Sequence, residues 1–392
     1  MKIAVVAPSI IPSRKANSVQ IMKMAQAFQS AGNEVQVISP ADRIKSHQSD
    51  GDLPVTPEGL SHHYGLQTTI PIEQLPSGFR LRGYDYAVRA IRWAHRWGAD
   101  LIYTRLPQAA GIASQFAVPV IFEIHDLPPS RAAVSLLRRF YYGRGARRLV
   151  VITAALAKDL QIWLNPPREN LQMLIAPDGV DLSRYQDLPH PDEARHILAS
   201  RALHPFDIPC GQLTAGYTGH LYSGRGTQLI LNLAERFPEI SFLIAGGEPQ
   251  EVAKLRRESQ ARGLKNVLLS GFIPNAELPL YQAACDLLLM PYQQQVAASS
   301  GGDISRYLSP MKMFEYLAAG RLILSSNLPV LQEVLNPGNA ILLPPDDVHA
   351  WIDALSNVSE HLDGFTRLGI QARQDAAGYT WEGRVQKILQ DL

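Results

Sequence analysis

Cysteine is scarce in this chain, with two among 392 residues. Cys210 and Cys285 stand far apart without Cys-x-x-Cys spacing. That excludes a disulfide framework or thiolate metal knuckle and leaves two reduced, buried thiols in a cytosolic protein as the expectation. Long hydrophobic runs are missing too. Stretches such as 149–153 and 287–290 fall far short of the roughly 20 residues that cross a bilayer. The opening MKIAVVAPSIIP is apolar, brief and broken by Pro-Ser, so it reads as a first buried strand rather than a signal peptide. Neither charge sign dominates: 37 Lys and Arg face 36 Asp and Glu. Aromatics make up 8 % of the chain and do not interleave with the arginines, so nucleic acid is not an expected partner. Gly-x-Ser-x-Gly, His-Glu-x-x-His and the Walker loop are absent, which removes the usual signatures of serine hydrolases, zinc proteases and P-loop enzymes.

What is present is uneven. The first 190 residues hold 21 Lys and Arg against 15 Asp and Glu; the rest hold 16 against 21. The excess comes from Arg80, Arg82, Arg89, Arg92, Arg96, Arg131, Arg138, Arg139, Arg144, Arg147 and Arg148. Such a face suits anionic lipid or a phosphorylated acceptor, and equally a solvated surface. A sign change between halves fits two domains with different partners.

Short apolar runs at 3–7, 35–39, 101–104, 120–124 and 149–153 alternate with helix-like stretches at 18–31, 84–97, 132–142 and 155–164. Near-continuous apolar runs fit strands covered on both faces, as in a parallel sheet. Ser18 is the expected N-cap of the first helix. The pattern pauses over 188–211, which carries four prolines and one helical patch at 193–201. It restarts with strands at 215–218, 242–245, 267–270, 287–290, 322–325 and 340–343, and helices at 227–236, 248–262, 276–284, 310–319, 329–335 and 347–357. The fold class expected is α/β: two doubly wound Rossmann-like domains facing each other across a cleft. Ligands of such sheets bind at the strands' C-terminal edges.

The most informative stretch is SPMKMFEYLAAG at 309–320. Ser-Pro opens a helix, Lys312 sits in its first turn, Glu315 follows, and Gly320 ends it. Free N–H groups and the dipole make a helix start suitable for a diphosphate. A carboxylate further in can accept bonds from two adjacent sugar hydroxyls. A first-turn lysine opposes the dipole, which points to an anion nearby. Arg225, between Gly224 and Gly226, stands on a tight turn into a helix. His125 ends a strand, where sheet ligands bind, although a satisfied strand-end histidine is the plain alternative. The Asp50-Gly-Asp52 triplet resembles a metal-binding motif but lies in a polar loop; it reads as surface, and no metal residues are assigned.

Further segments join that stretch in a fixed order: FEIHDLP at 122–128, VVIT at 150–153, APDGVDLSRY at 176–185, GYTGHLYSGRG at 216–226, FLIAGG at 242–247, GFIPNAELPLYQAACDLLLMPY at 271–292, SPMKMFEYLAAGRLILSSNLPVLQEVL at 309–335 and WEGRVQKILQDL at 381–392. Together they resemble glycosyltransferase family 4, retaining enzymes of GT-B architecture, in a subgroup with Ser-Pro-x-Lys in the donor loop. The resemblance spans nearly the whole chain.

It implies an N-terminal acceptor-binding domain over 1–190, a donor-binding domain over 191–375, and a helix over 376–392 crossing back to the first. It implies catalytic roles for His125, which approaches the transferred sugar, and for Arg225 and Lys312, which neutralise the diphosphate. The donor site implied comprises Gly219, His220, Gly271, Ile273, Ser309, Pro310, Met311, Met313 and Glu315, with Glu315 on the ribose and Gly271–Ile273 on the base. Asn17 and Ser18 stand on the acceptor side.

The implied reaction moves a sugar from a nucleoside-diphosphate donor, UDP-sugar favoured, to a hydroxyl acceptor on a glycan, lipid or small molecule, without a required cofactor. The place implied is cytoplasmic, with a peripheral position on an anionic membrane surface left open. A GT-B epimerase or hydrolase, and a non-catalytic nucleotide-sugar-binding protein, are the alternatives. Three positions depart from the family pattern. Tyr307 occupies the place of the first donor-motif glutamate, with Asp303 or backbone amides as substitutes. His220 replaces the usual first phosphate-binding arginine. The first loop reads PSRKANS without its paired glycines.

Overall fold

The structure, a computed structural model, describes residues 1–41, 56–78, 83–164, 171, 173–201, 208–298 and 302–392. The Asp50–Asp52 triplet and the arginines at 80 and 82 lie outside these. The chain divides into two units: Met1–Asp178 with Trp381–Leu392, and Gly179–Thr380.

The first unit runs β1 (Lys2–Val6), α1 (Ala16–Ser30), β2 (Glu34–Pro40), α2 (Pro57–Tyr64), β3 (Ile72–Leu75), α3 (Tyr84–Trp97), β4 (Leu101–Thr104), α4 (Pro107–Gln115), β5 (Val120–Ile124), α5 (Arg131–Tyr142), β6 (Ala146–Val151), α6 (Ala154–Trp163) and β7 (Met173–Ile175). Its seven strands are parallel in the order β3-β2-β1-β4-β5-β6-β7. Valine, isoleucine and leucine runs make β1, β4 and β5 because helices cover both sheet faces. In α3, Tyr86, Ala87, Ala90, Ile91 and Ala94 recur at helical spacing and are buried, leaving arginines on the other face. Ser18 does not cap α1. The helix starts at Ala16, and the Ser18 hydroxyl instead donates within the loop, 2.8 Å from the Ser13 and Lys15 carbonyls.

The second unit runs α7 (Pro191–Ser200), β8 (Thr214–Thr218), α8 (Thr227–Arg236), β9 (Ser241–Ala245), α9 (Pro249–Ala261), β10 (Val267–Gly271), α10 (Leu278–Ala283), β11 (Leu287–Met290), α11 (Met311–Ala319), β12 (Leu322–Ser326), β13 (Ile341–Leu343), α12 (Val348–His361) and α13 (Thr366–Asp375). Its six parallel strands take the order β10-β9-β8-β11-β12-β13. Helix α14 (Trp381–Leu389) then returns to the first unit.

The unit boundary falls at 178/179 rather than after residue 190. Val180 pairs with Thr380, and the Tyr185 hydroxyl donates to Gln282 Oε1 at 3.0 Å, so 179–190 packs with the second sheet. In the same way residues 376–380 stay with the second unit, where Tyr379 packs on Phe314. Helix α14 is fastened at its C-terminus by Arg148 of β6. Its guanidinium donates to the carbonyls of Lys387, Ile388 and Gln390 at 2.6–2.8 Å, where the helix dipole is negative. Cys285 is buried as expected, but Cys210 is exposed.

Candidate functional site

In each sheet the strand order reverses once, between β1 and β4 in the first unit and between β8 and β11 in the second. Loops leaving adjacent strands diverge there and open a ligand crevice. The sequence-predicted residues lie at the C-terminal ends of strands at or near these two places, and on the segments that follow them.

In the second unit, Gly219 and His220 follow β8, and Gly271 ends β10. The amide of Gly219 donates to Ala245 O and that of Gly246 to Gly271 O, joining three neighbouring loops. Gly219 has φ +125, and a Cβ on it would stand 3.1 Å from Lys312 Nζ. Gly226, with φ +79, N-caps α8, and a side chain there would run into the Pro291 carbonyl. Glycine at these two positions therefore lets the chain bring Arg225 and Lys312 to one corner.

Lys312 Nζ is buried without a hydrogen-bond partner. It lies 3.6 Å from the ring centre of Tyr217 and 5.6 Å from that of Tyr292. Arg225 Nη1 donates to the Tyr292 hydroxyl at 3.0 Å, and its Nε is buried and unpartnered. Burial, and then Arg225, hold the Lys312 ammonium well below the usual lysine range. His220 stacks flat on Tyr222 at 4.7 Å and is brought down to about 4 by burial and by the Arg225 and Lys312 charges. The aromatic walls exclude water but supply no counter-charge, so the cluster is a desolvated cationic corner.

Helix α11 begins beside it. Its N-cap is Pro310, so proline stands one position before the first helical residue rather than at it, and no side chain caps the end. The Met313 amide donates to Pro310 O, and the Met313 side chain is core. The Met311 and Lys312 amides remain available at the helix start. Ser309 Oγ is buried and unpartnered. Glu315, one turn in, is 8 % exposed and, among the described residues, accepts only two long hydrogen bonds, from Asn275 Nδ2 at 3.5 Å and Gln282 Nε2 at 3.4 Å. Its oxygens therefore keep acceptor capacity. Ile273 is buried after β10.

In the first unit, His125 follows β5, Asn17 stands in the first turn of α1, and Asp178 follows β7. Asn17 Oδ1 and Asp178 Oδ1 are buried without partners. Ser18 is spent on its own loop. His125 Nε2 lies 2.6 Å from Glu123 Oε1, with 20 % of its side chain exposed. Ligand atoms of Glu123, His125 and Asp178 fall within 4.8 Å of one another. A cation does not fit this set, because Gln20, Tyr103 and Arg384 all donate to the Glu123 carboxylate. Those donors occupy the lone pairs a metal would need.

Two family models match the chain, and together they span most of it. "Glycosyltransferase Family 4" covers residues 18–184 and "Glycosyl transferases group 1" covers 212–361. The chain belongs to glycosyltransferase family 4. A phosphatidyl-myo-inositol mannosyltransferase of Mycolicibacterium smegmatis is 24 % identical over 391 residues, covering 95 % of this chain and 88 % of that one. The sucrose-phosphate synthase of Thermosynechococcus elongatus superposes with TM-score 0.73 at 17 % identity, covering 100 % of this chain and 98 % of that one. Anabaena HepE, solved with UDP-glucose, gives 0.71 at 18 % over the whole of both chains. Together with the two parallel sheets, these likenesses make the fold GT-B.

The family pattern departs at Tyr307, which is 5 % exposed. Asp303 is no ready substitute for the missing glutamate. Its Oδ1 accepts from the Val296 and Ser305 amides at 2.9 Å, so it shapes its own loop. Sequence reasoning missed Tyr217 and Tyr292 around the cationic corner, Gln282 beside Glu315, and Gln20, Glu123, Asp178 and Arg384 around His125. All but Gln20 lie inside motifs already singled out, Arg384 in the closing 381–392 segment, but no motif marks Arg384 as the partner of Glu123.

Proposed function

We propose that this glycosyltransferase transfers a sugar from a nucleoside-diphosphate donor to a hydroxyl acceptor with retention and without a metal ion. The carrying observation is the desolvated pair Arg225 and Lys312 beside the uncapped start of α11. A diphosphate supplies the negative charge this corner lacks. The pair, the Met311 and Lys312 amides and Ser309 Oγ bind and stabilise it as it leaves, doing what a divalent cation does elsewhere. Glu315 accepts from the ribose hydroxyls, and Gly271 to Ile273 meet the base. UDP is the favoured nucleotide, in keeping with the UDP held by HepE.

No residue of the sequence stands out as a covalent nucleophile, which favours front-side displacement. The acceptor oxygen bonds to the anomeric carbon on the face from which the phosphate leaves. The acceptor proton passes to a phosphate oxygen of the departing diphosphate. His125 and Asn17 serve sugar and acceptor on the first unit.

The acceptor side also carries the basic face. Arg131, Arg138 and Arg139 line an open groove with Tyr142 and Trp163. Phe116 and Ile162 of the same unit are 76 % and 75 % exposed. Cations beside exposed apolar side chains support contact with anionic lipid. Among the described residues, no helix is long and apolar enough to cross a membrane.

A thermal-shift panel of UDP, GDP and ADP sugars tests the donor. A ligand at 100 times its dissociation constant adds about 2.7 kcal/mol to stability. UDP sugars should stabilise the wild type, and Glu315→Ala should lose about 10- to 100-fold in affinity, the worth of charge-assisted bonds. Full affinity in Glu315→Ala overturns the donor assignment. A product of inverted anomeric configuration overturns the mechanism.

A further inference from the structure

Glu123 is 1 % exposed inside β5, yet both of its oxygens are filled. Oε1 accepts from Gln20 Nε2 at 2.7 Å and faces His125 Nε2 at 2.6 Å. Oε2 accepts from the Tyr103 hydroxyl and from Arg384 Nη2 at 2.8 Å. Arg384 is anchored in turn by the Pro177 carbonyl at 2.8 Å and the Ala176 carbonyl at 3.1 Å. Burial disfavours the charge on Glu123, but Arg384 and the bond from His125 outweigh it and hold the carboxyl below the usual range. An ionised carboxylate only accepts. The hydrogen between Glu123 and His125 therefore sits on Nε2. Burial and the nearby Arg105 keep the imidazole below its ordinary value, against the pull of Glu123 and Asp178, which favours one proton on the ring. The other nitrogen, Nδ1, then carries a lone pair. Asp178, with its unpartnered Oδ1, stands in the same group.

We propose that Glu123 and Arg384 are positioning residues that fix His125 as the Nε2–H tautomer, so that His125 Nδ1 and Asp178 Oδ1 form a paired acceptor subsite for the hydroxyls of a sugar. Two acceptors side by side select hydroxyl donors and disfavour phosphate oxygens, the reverse of the cationic corner in the second unit. Asp178 thereby becomes a substrate-contacting residue. Arg384 takes part from the chain's last helix, acting only through Glu123. The inference rests on the reading of His125 as a sugar-contacting residue, but its first test needs no turnover.

That test is a two-bond proton–nitrogen NMR correlation of the full-length protein with labelled histidine, the signal assigned by His125→Gln. The wild type should show His125 neutral, with the proton on Nε2, near neutral pH. In Glu123→Gln the pattern should shift toward Nδ1–H or a mixture. Where that variant fails to fold, Glu123→Gln combined with Arg384→Met removes both charges together and should give the same shift. A wild-type Nδ1–H, mixed or doubly protonated ring overturns the proposal, as does an unchanged tautomer in the variants.

The second test is kinetic. Asp178→Asn should lower kcat/KM by about 10- to 100-fold, the worth of a hydrogen bond to a charged group. It should also abolish the further loss caused by removing one hydroxyl from the sugar. A deoxy sugar that costs the same in both proteins removes Asp178 from the subsite. A correct tautomer with no glycosyl transfer from any donor would sink the proposed function alone. Transfer with the wrong tautomer would sink this inference alone.

Discussion

Arg384 Nη2 lies 2.8 Å from Glu123 Oε2, with 3 % and 0 % of the two side chains exposed. A buried pair of this kind contributes little net stability compared with two apolar residues, yet removing one partner strands the other's charge. Arg384→Met alone should lower unfolding stability by about 3–5 kcal/mol, and adding Glu123→Gln should restore most of it. Urea denaturation of the single and double variants checks both outcomes. Equal stability of the two would show that the charges are not coupled.

His220 gives a pH signature. It titrates near its ordinary 6.5 when unfolded and at about 4 when folded, so the folded protein holds fewer protons between those values. Its contribution to stability is complete above about 6.5 and is lost as pH falls toward 4. Denaturation midpoints of His220→Gln should therefore fall less steeply than wild type across that window. Parallel curves would show that His220 is not held neutral.

Lys312 gives a binding signature. Burial and Arg225 depress its ammonium, and a diphosphate against Nζ would restore it. UDP binding at a pH of ~8 should take up protons, read as a dependence of calorimetric heat on the buffer's ionisation enthalpy. Lys312→Met should lose about 10- to 100-fold in UDP affinity and most of that dependence. Buffer-independent heats in the wild type would show that Lys312 is already charged before UDP arrives.

The basic groove of the first unit makes a separate prediction. Each arginine near an anionic leaflet contributes about 1 kcal/mol. Arg138→Glu with Arg139→Glu should therefore cut flotation with phosphatidylserine-rich vesicles at least about 10-fold. Binding to neutral vesicles should be little changed, and so should UDP affinity, because the donor site proposed above uses residues of the other unit. Equal flotation of variant and wild type would leave the groove without a lipid role.

Elements whose periodicity is local were legible in the sequence. The second sheet's six strands and five of the first sheet's seven stand out as apolar runs, and α8 occupies the predicted 227–236; β3, with Glu73 and Gln74 in four residues, and the three-residue β7 did not. Helices α2, α4 and α13 escaped, and the helix expected over 329–335 is a single 3-10 turn at Leu331–Glu333. PQAAGIASQ is made of small residues buried between neighbours, so it has no polar face to set a period. TRLGIQARQD buries only Gly369 and Ala372 and leaves Ile370 exposed, so its apolar residues set no clear buried stripe. The candidate site divides in the same manner. Lys312 and Glu315 share one helix and one motif, so their relation is written in spacing. Glu123 and Arg384 are joined only by the return of α14, a long-range contact that no local pattern carries. Tyr217 lies within an expected strand and Tyr292 just after another, and only the fold puts their rings around a lysine.

The return of α14 also sets an order of completion. Every residue of the second unit, Gly179–Thr380, is synthesised before Arg384 exists. A ribosome making this chain therefore releases the first unit unfinished, with Glu123 lacking its cation, and finishes the second before it. The half that is translated first is the last to become whole, and a chain stopped at Thr380 would lose the opening domain's charge balance while keeping every residue of the later one.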